Sequence, residues 1–168
     1  MSIVDSGERR EFESGAVRDI AEGKGRCDLL PLDVIEGMFR AGGKDYSPLG
    51  FISMYIYTGD ETYLYRAIYN FCRTEGIDTI TMILEVSKHY EDGAKKYAER
   101  NWEKGIPLHC YIDSGVRHYL KHRRGDTDER HDRAFVWNML CAVWTQQYKP
   151  ELIDLPFAQE NGDNVDET

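Results

Sequence analysis

Residues 129–148, "ERHDRAFVWNMLCAVWTQQY", decide the fold. From Ala134 to Trp144 apolar side chains go almost all the way round a helical wheel, which is the pattern of a helix enclosed by other helices. Asn138 lies inside that apolar run, and a buried amide demands hydrogen-bonding partners. This helix, beginning near Asp128, is read as the central buried element, and the rest of the chain should be built around it.

Working back towards the N-terminus, each neighbouring segment also has a helical period. "LHCYIDSGVRHYLKHRRG" (108–125) stops at Gly125 and sets Asp113 and Arg117 on one side, His118 and His122 on another. "TITMILEVSKHYEDGAKKY" (79–97) has Asp78 as N-cap and carries Ile80, Ile83, Leu84, Tyr90, Ala94 and Tyr97 on the side expected to face the core. Its opposite side carries Glu85, His89, Asp92 and Lys96 within about 60° of arc. "PLGFISMYIYTGD" and "ETYLYRAIYNFCRTEG" end at Gly59 and Gly76, and Pro31 opens a short helix through about Phe39. "SGAVRDIAEGKGRCDLLP" (14–31) shows no sustained period and reads as an ordered loop. With no convincing strand alternation, the predicted fold is all-α, a single-domain helical bundle. Residues 1–13 read as a flexible N-terminus, 14–149 as the domain, 42–77 as an inserted aromatic helical pair and 150–168 as a flexible acidic tail.

The formal charge of −9 is unevenly placed, because residues 150–168 hold six acids and no base. Residues 93–133 hold ten Lys or Arg against seven Asp or Glu, which permits a local site for a small phosphate ligand without suggesting a duplex-binding stripe. Four scattered cysteines without CxxC pairing, no signal peptide and no long apolar run predict a cytoplasmic chain with reduced thiols and no membrane partner. Phosphate-loop, serine-hydrolase and dinucleotide signatures are absent.

The chemistry concentrates in "GAKKYAERNWEKGIP" (93–107). Lys95, Lys96, Arg100 and Lys104 offer cationic donors, Asn101 an amide, and Trp102 an aromatic face, a set suited to a phosphate or nucleotide edge. A structural reading stands beside it: the lysines complement the helix dipole and Trp102 pins the loop. Hydrolysis of a nucleoside triphosphate calls for a divalent ion, Mg²⁺ or Mn²⁺, held by carboxylates on neighbouring helices. Glu85, Asp92, Asp113, Asp128, Glu129 and Asp132 are available for it. His118 and His122 have a zinc-compatible spacing without an HExxH glutamate, and His131 sits in the first turn of the central helix.

The blocks "SGAVRDIAEGKGRCDLLP", "YEDGAKKYAERNWEKGIP", "YIDSGVRHYLKHRRGD" and "HDRAFVWN" resemble, in that order, those of the phage and prophage dATP/dGTP diphosphohydrolase N-terminal domain family, over residues 14–145. The resemblance implies a MazG-like nucleotide pyrophosphohydrolase that cleaves a deoxynucleoside triphosphate between its α and β phosphates. The usual signature is ExxE on one helix and ExxD on a later one. Glu129 and Asp132 give the second, whereas Glu85 is followed by Lys88. On this reading Glu85, His118 and His131 are catalytic, and Glu85, Asp92, Asp113 and Glu129 ligate metal. Lys24, Arg26, Lys95, Lys96, Asn101, Trp102, Arg117 and Asn138 bind substrate. Two alternatives accompany it: a nucleotide-sequestering protein without turnover, and a His-Asp type phosphohydrolase that releases whole triphosphate. A homo-oligomer is expected from Phe51, Tyr55, Tyr57, Tyr63, Tyr65 and Tyr69, more aromatic surface than one core can bury.

Overall fold

In the computed structural model of the chain, which describes residues 7–20, 24–42 and 47–160, helix α6 (His131–Tyr148) forms the axis. Its Ala134, Phe135, Val136, Met139, Cys141 and Ala142 are at most 1% exposed, as their all-round apolar pattern requires. The other helices are α1 (Leu32–Ala41), α2 (Pro48–Thr58), α3 (Thr62–Thr74), α4 (Thr79–Lys96), α5 (Leu108–Arg124) and α7 (Pro156–Glu160). The all-α class holds.

Helix α5 lies closest along α6. Gly115 permits this, because a Cβ there would collide with the Met139 methyl and stand 3.3 Å from the Asn138 Cβ. On another side Phe71 of α3 meets Phe135 edge-on at 4.9 Å, and α2 buries Leu49, Ile52 and Tyr55 completely. The Tyr55 hydroxyl donates to Gln146 Oε1 at 2.6 Å, tying α2 to α6. The aromatic pair α2–α3 is thus part of the core. Of the aromatics expected at an interface, Tyr55 is consumed there, while Tyr57 and Tyr69 are each 63% exposed.

Local signals set the helix ends. The Asp78 carboxylate accepts from the Thr81 amide at 2.9 Å, Ser47 caps α2 ahead of Pro48, and Gly125 closes α5 in the left-handed region. Helix α4, however, is rotated from the expected orientation: Met82 and Val86 are buried, whereas Ile80, Ile83 and Leu84 are 51–66% exposed.

Both ends of the chain also differ from expectation where they are described. Arg9–Glu11 (β1) pairs antiparallel with Val17–Asp19 (β2), so the N-terminal segment expected to be flexible, and part of the loop after it, form a hairpin. Three-residue strands are too short for alternation to reveal them. After Lys149 the chain makes a 3-10 turn, Pro150–Leu152, and then α7, with Leu155 and Phe157 in the core. The Phe157 ring lies 5.8 Å from that of Tyr55 and over Gly59, whose φ of +68° and missing side chain make room for it. Two well-placed apolar side chains therefore order residues 150–160 despite the acidic composition. Residues 1–6 and 161–168 of the two expected flexible ends lie outside the described residues.

Candidate functional site: a roofed cavity between α4, α5 and α6

The site begins with the hairpin, because side chains from distant helices hold β2 over the mouth of the bundle. Val17 N donates to Asn101 Oδ1 at 3.0 Å and Asn101 Nδ2 returns a bond to the Val17 carbonyl at 2.9 Å. Asp19 receives Lys96 Nζ and the Tyr97 hydroxyl, each at 2.9 Å. Burial pushes the Asp19 carboxyl up, but these two bonds outweigh it and hold the group below its ordinary range. Arg18 reaches inward, donating to Asn138 Oδ1 at 2.7 Å and to the Cys110 carbonyl at 3.3 Å. Asn138, the amide within the apolar run, is thereby satisfied; its own Nδ2 donates to the Ala134 carbonyl at 2.7 Å.

Beneath this roof is a cavity of about 630 Å³. Arg10, Arg18, Lys24, Arg117 and Lys121 bring positive charge to its wall, and Tyr90, Tyr97, Trp102 and Trp137 bring aromatic surface. Lys24 is pushed below the ordinary lysine range by desolvation, with Arg117, Lys96 and Arg18 adding to the effect against Asp19. A bound anion would relieve that crowding. Arg10 donates to Cys110 Sγ at 3.1 Å, and its buried Nε finds no acceptor among the described residues.

One corner of the cavity is of different chemistry. His118 and Glu129 line it, and His131 stands directly behind. His118 Nδ1 and His131 Nδ1 are 3.0 Å apart, and Glu129 Oε1 is 3.4 Å from each. His131 Nε2 meets Asp128 Oδ1 at 2.7 Å, a bond that, ahead of the contribution from Lys121, draws the Asp128 carboxyl down to about 2. Burial, then the neighbouring His131, pushes His118 well below the ordinary histidine range, so its ring is neutral at physiological pH. His89 also faces the cavity and is driven down to about 4, chiefly by burial.

The residues singled out from the sequence fall into three groups. Lys24, Asn101, Trp102, Asp113, Arg117, His118, Glu129 and Asn138 line the cavity, and His131 backs it. Several of these are already engaged: Asn101 clamps the hairpin, and Trp102 packs edge-on against Tyr90 and Trp144. Asp113 accepts from the Cys27 amide at 2.6 Å and from Arg117 at 2.5 Å, while Arg117 also holds the Lys24 and Gly25 carbonyls. Arg26 and Lys95 lie outside the cavity wall, Arg26 pairing with Asp28 and Lys95 with the wall residue Glu91, and Lys96 is spent on Asp19.

The third group is the expected carboxylate ligand set, which does not converge. Glu85 and Asp92 stand outside the cavity wall. Glu85 takes Lys88 at 2.5 Å, Arg133 Nε at 2.9 Å and Arg130 at 3.3 Å, and Lys88, followed by Arg133, pulls its carboxyl down to about 2. A Mg²⁺ or Mn²⁺ site made from Glu85, Asp92, Asp113 and Glu129 does not fit, because Glu85 and Asp113 are already neutralised by arginines and sit in different parts of the molecule. Arg10, Arg18 and Asp19 were not picked out from the sequence, since a helical period carries no information about a hairpin strand, and Lys121 of α5 was passed over because only the packing brings it to the cavity.

No helix among the described residues is long and apolar enough to cross a membrane, and the four cysteines are free thiols. No curated protein and no solved structure matches the chain. Residues 71–154, which include α4, α5 and α6 with His118, Glu129 and His131, match the family described as dATP/dGTP diphosphohydrolase, N-terminal. With half its length matched by that family, and with the matched half supplying the histidine–glutamate corner, the chain belongs to the dATP/dGTP diphosphohydrolase N-terminal family.

Proposed function

We propose that the chain is a divalent-ion-dependent pyrophosphohydrolase that converts a deoxynucleoside triphosphate, dATP or dGTP, to the monophosphate and diphosphate. The observation that carries this is the cavity: about 630 Å³, of ligand-pocket size, with cationic and aromatic walls and a histidine–carboxylate corner. Arg18, Lys24 and Lys121 are the residues offered to the phosphates, and Trp137 and Tyr97 give a base apolar surface. A divalent ion supplies charge neutralisation of the phosphate oxygens and a more acidic water. Neutral His89, packed against Trp137 on the cavity wall, is available to accept a proton.

Incubation of the chain with each dNTP and a series of divalent ions, with products separated by chromatography, tests this. Monophosphate and diphosphate in equal amounts are expected. Release of whole triphosphate would instead select the His-Asp type reaction, and tight binding with unchanged nucleotide would select sequestration. The observation favouring sequestration is the arginine-neutralised Glu85.

We also propose self-association through α4, whose Ile80, Ile83 and Leu84 present an uncovered apolar face. Light scattering at micromolar concentration should give a mass above that of one chain, and a monomer would overturn this.

A further inference from the structure

We infer that His118, Glu129 and His131 form a binding site for a divalent first-row transition ion, Zn²⁺ or Co²⁺ in preference to Mg²⁺, with Asp128 as the residue that positions His131. Three donor atoms meet at one point from two helices and the turn between them: Nδ1 of His118 on α5, Oε1 of Glu129 in the connection, and Nδ1 of His131 at the start of α6. Their separations are 3.0, 3.4 and 3.4 Å. With metal–ligand bonds of about 2.1 Å, donors stand about 3.0 Å apart along an octahedral edge and about 3.4 Å along a tetrahedral one. The triangle therefore has the dimensions of one face of a coordination sphere.

The surroundings match that use. Two bare Nδ1 atoms at 3.0 Å repel unless a proton or a cation lies between them. His131 Nε2 is committed to Asp128 Oδ1 at 2.7 Å, which puts the ring proton on Nε2 and turns the Nδ1 lone pair towards His118 and Glu129. That carboxylate–imidazole link is the arrangement by which proteins fix the tautomer of a metal-binding histidine. A shared proton would satisfy the two histidines alone, whereas a cation also uses Glu129 Oε1, equidistant from both. The rings are rigidly held, with the His131 side chain 1% exposed, while His118 and Glu129 border the cavity, where further positions on an ion would open. Two imidazoles and one carboxylate favour zinc, cobalt or iron, whereas magnesium prefers oxygen ligands throughout. The second acidic group nearby, Asp126 with Asp128 and His131, offers less, since Arg124 already holds Asp126.

The test uses the full chain, stripped with a chelator and dialysed without nucleotide against Zn²⁺, Co²⁺ or Mg²⁺, with bound metal counted by mass spectrometry and Co²⁺ followed by its visible absorption. One Zn²⁺ or Co²⁺ per chain is expected, with Mg²⁺ unable to displace it at a hundredfold excess. His118→Ala and Glu129→Gln should remove this binding, Asp128→Asn should weaken it roughly 10- to 100-fold, and His122→Ala, one turn further along α5, should leave it intact. Mg²⁺ binding as well as Zn²⁺, no binding at all, or Co²⁺ binding unchanged in His118→Ala would overturn the assignment. Because a substituted chain can misfold, X-ray absorption on the wild-type Zn²⁺ protein gives a second reading, and fewer than two imidazole ligands would also overturn it. A chain that binds Zn²⁺ here yet hydrolyses no nucleotide would keep this inference and lose the function proposed above.

Discussion

Asn101 and Val17, 84 residues apart, exchange two hydrogen bonds as neighbouring strands would: the Asn101 amide accepts from the Val17 N–H and donates to its carbonyl. The side chain of a 3-10 turn thus acts as a third strand for the hairpin, and Asn101 is buried to do so. Asn101→Ala leaves both Val17 groups without partners. The cost should be about 1–3 kcal/mol, read as a lowered urea midpoint. Amide exchange at residues 17–19 should accelerate more than exchange in α6.

Arg18 links the roof to the central helix through Asn138 and the Cys110 carbonyl, with its guanidinium over the Tyr111 ring at 5.3 Å. Arg18→Lys retains the charge but loses the planar fork. Loss of a charge-assisted bond worth about 1.5–3 kcal/mol should raise the Kd for a dNTP roughly 10- to 100-fold. Calorimetric titration measures this, and an unchanged Kd would place the phosphates elsewhere.

His109 and Asp154 join the start of α5 to the segment leading into α7, and the Asp154 carboxylate also accepts from the His109 amide at 2.9 Å. Asp154, ahead of Cys110, raises the His109 ring to about 10 from its ordinary 6.5. A raised histidine stabilises the fold fully below about pH 6.5, and that contribution disappears as pH rises through about 10. Wild-type Tm should therefore fall across this interval, and Asp154→Asn should flatten the fall. An equal slope in both proteins would show that the pair does not couple to folding.

Glu85 sits among Lys88, Arg130 and Arg133 and outside the cavity wall. Glu85→Gln should leave dNTP turnover within about twofold of wild type, since surface substitutions away from a site have small effects. Its depressed carboxyl, near 2 in the fold, contributes stability at neutral pH that is lost as pH falls from about 4.5 through about 2. The variant's Tm should accordingly depend less on pH in that range. A hundredfold fall in kcat would return Glu85 to the site.

The helical core was legible because its signals are local. Asp78, Gly59 and Gly125 mark their helix ends by chemistry that acts within a turn, and the all-round apolar run of α6 states its own burial. The orientation of α4 was not legible. Ile80, Ile83 and Leu84 are its most apolar cluster, yet α4 packs through Met82 and Val86, which continues the same side down to His89 and Tyr90. A hydrophobic period gives the direction of greatest apolarity, whereas packing is decided by what the neighbouring helix offers. His118 and His131 were found in the sequence as separate residues, but their partnership depends on how α5 and α6 pack, and the hairpin depends on partners some 80 residues away. Glu85 was selected by its place on a wheel, and nothing in that wheel announces Arg133 from α6.

The way the roof is fastened also dictates an order of assembly. The most extensive helix pairings, α5 with α6 and α2 with α3, join neighbours in the chain, so their contacts close small loops. The hairpin can dock only after Lys96, Tyr97 and Asn101 are in place, closing loops of more than 70 residues, which makes it a late event in folding. The cavity consequently comes into being late in folding, and an anion caught between Arg18 and the helices would act as a folding ligand, slowing the roof's departure while leaving the core's own opening rate unchanged.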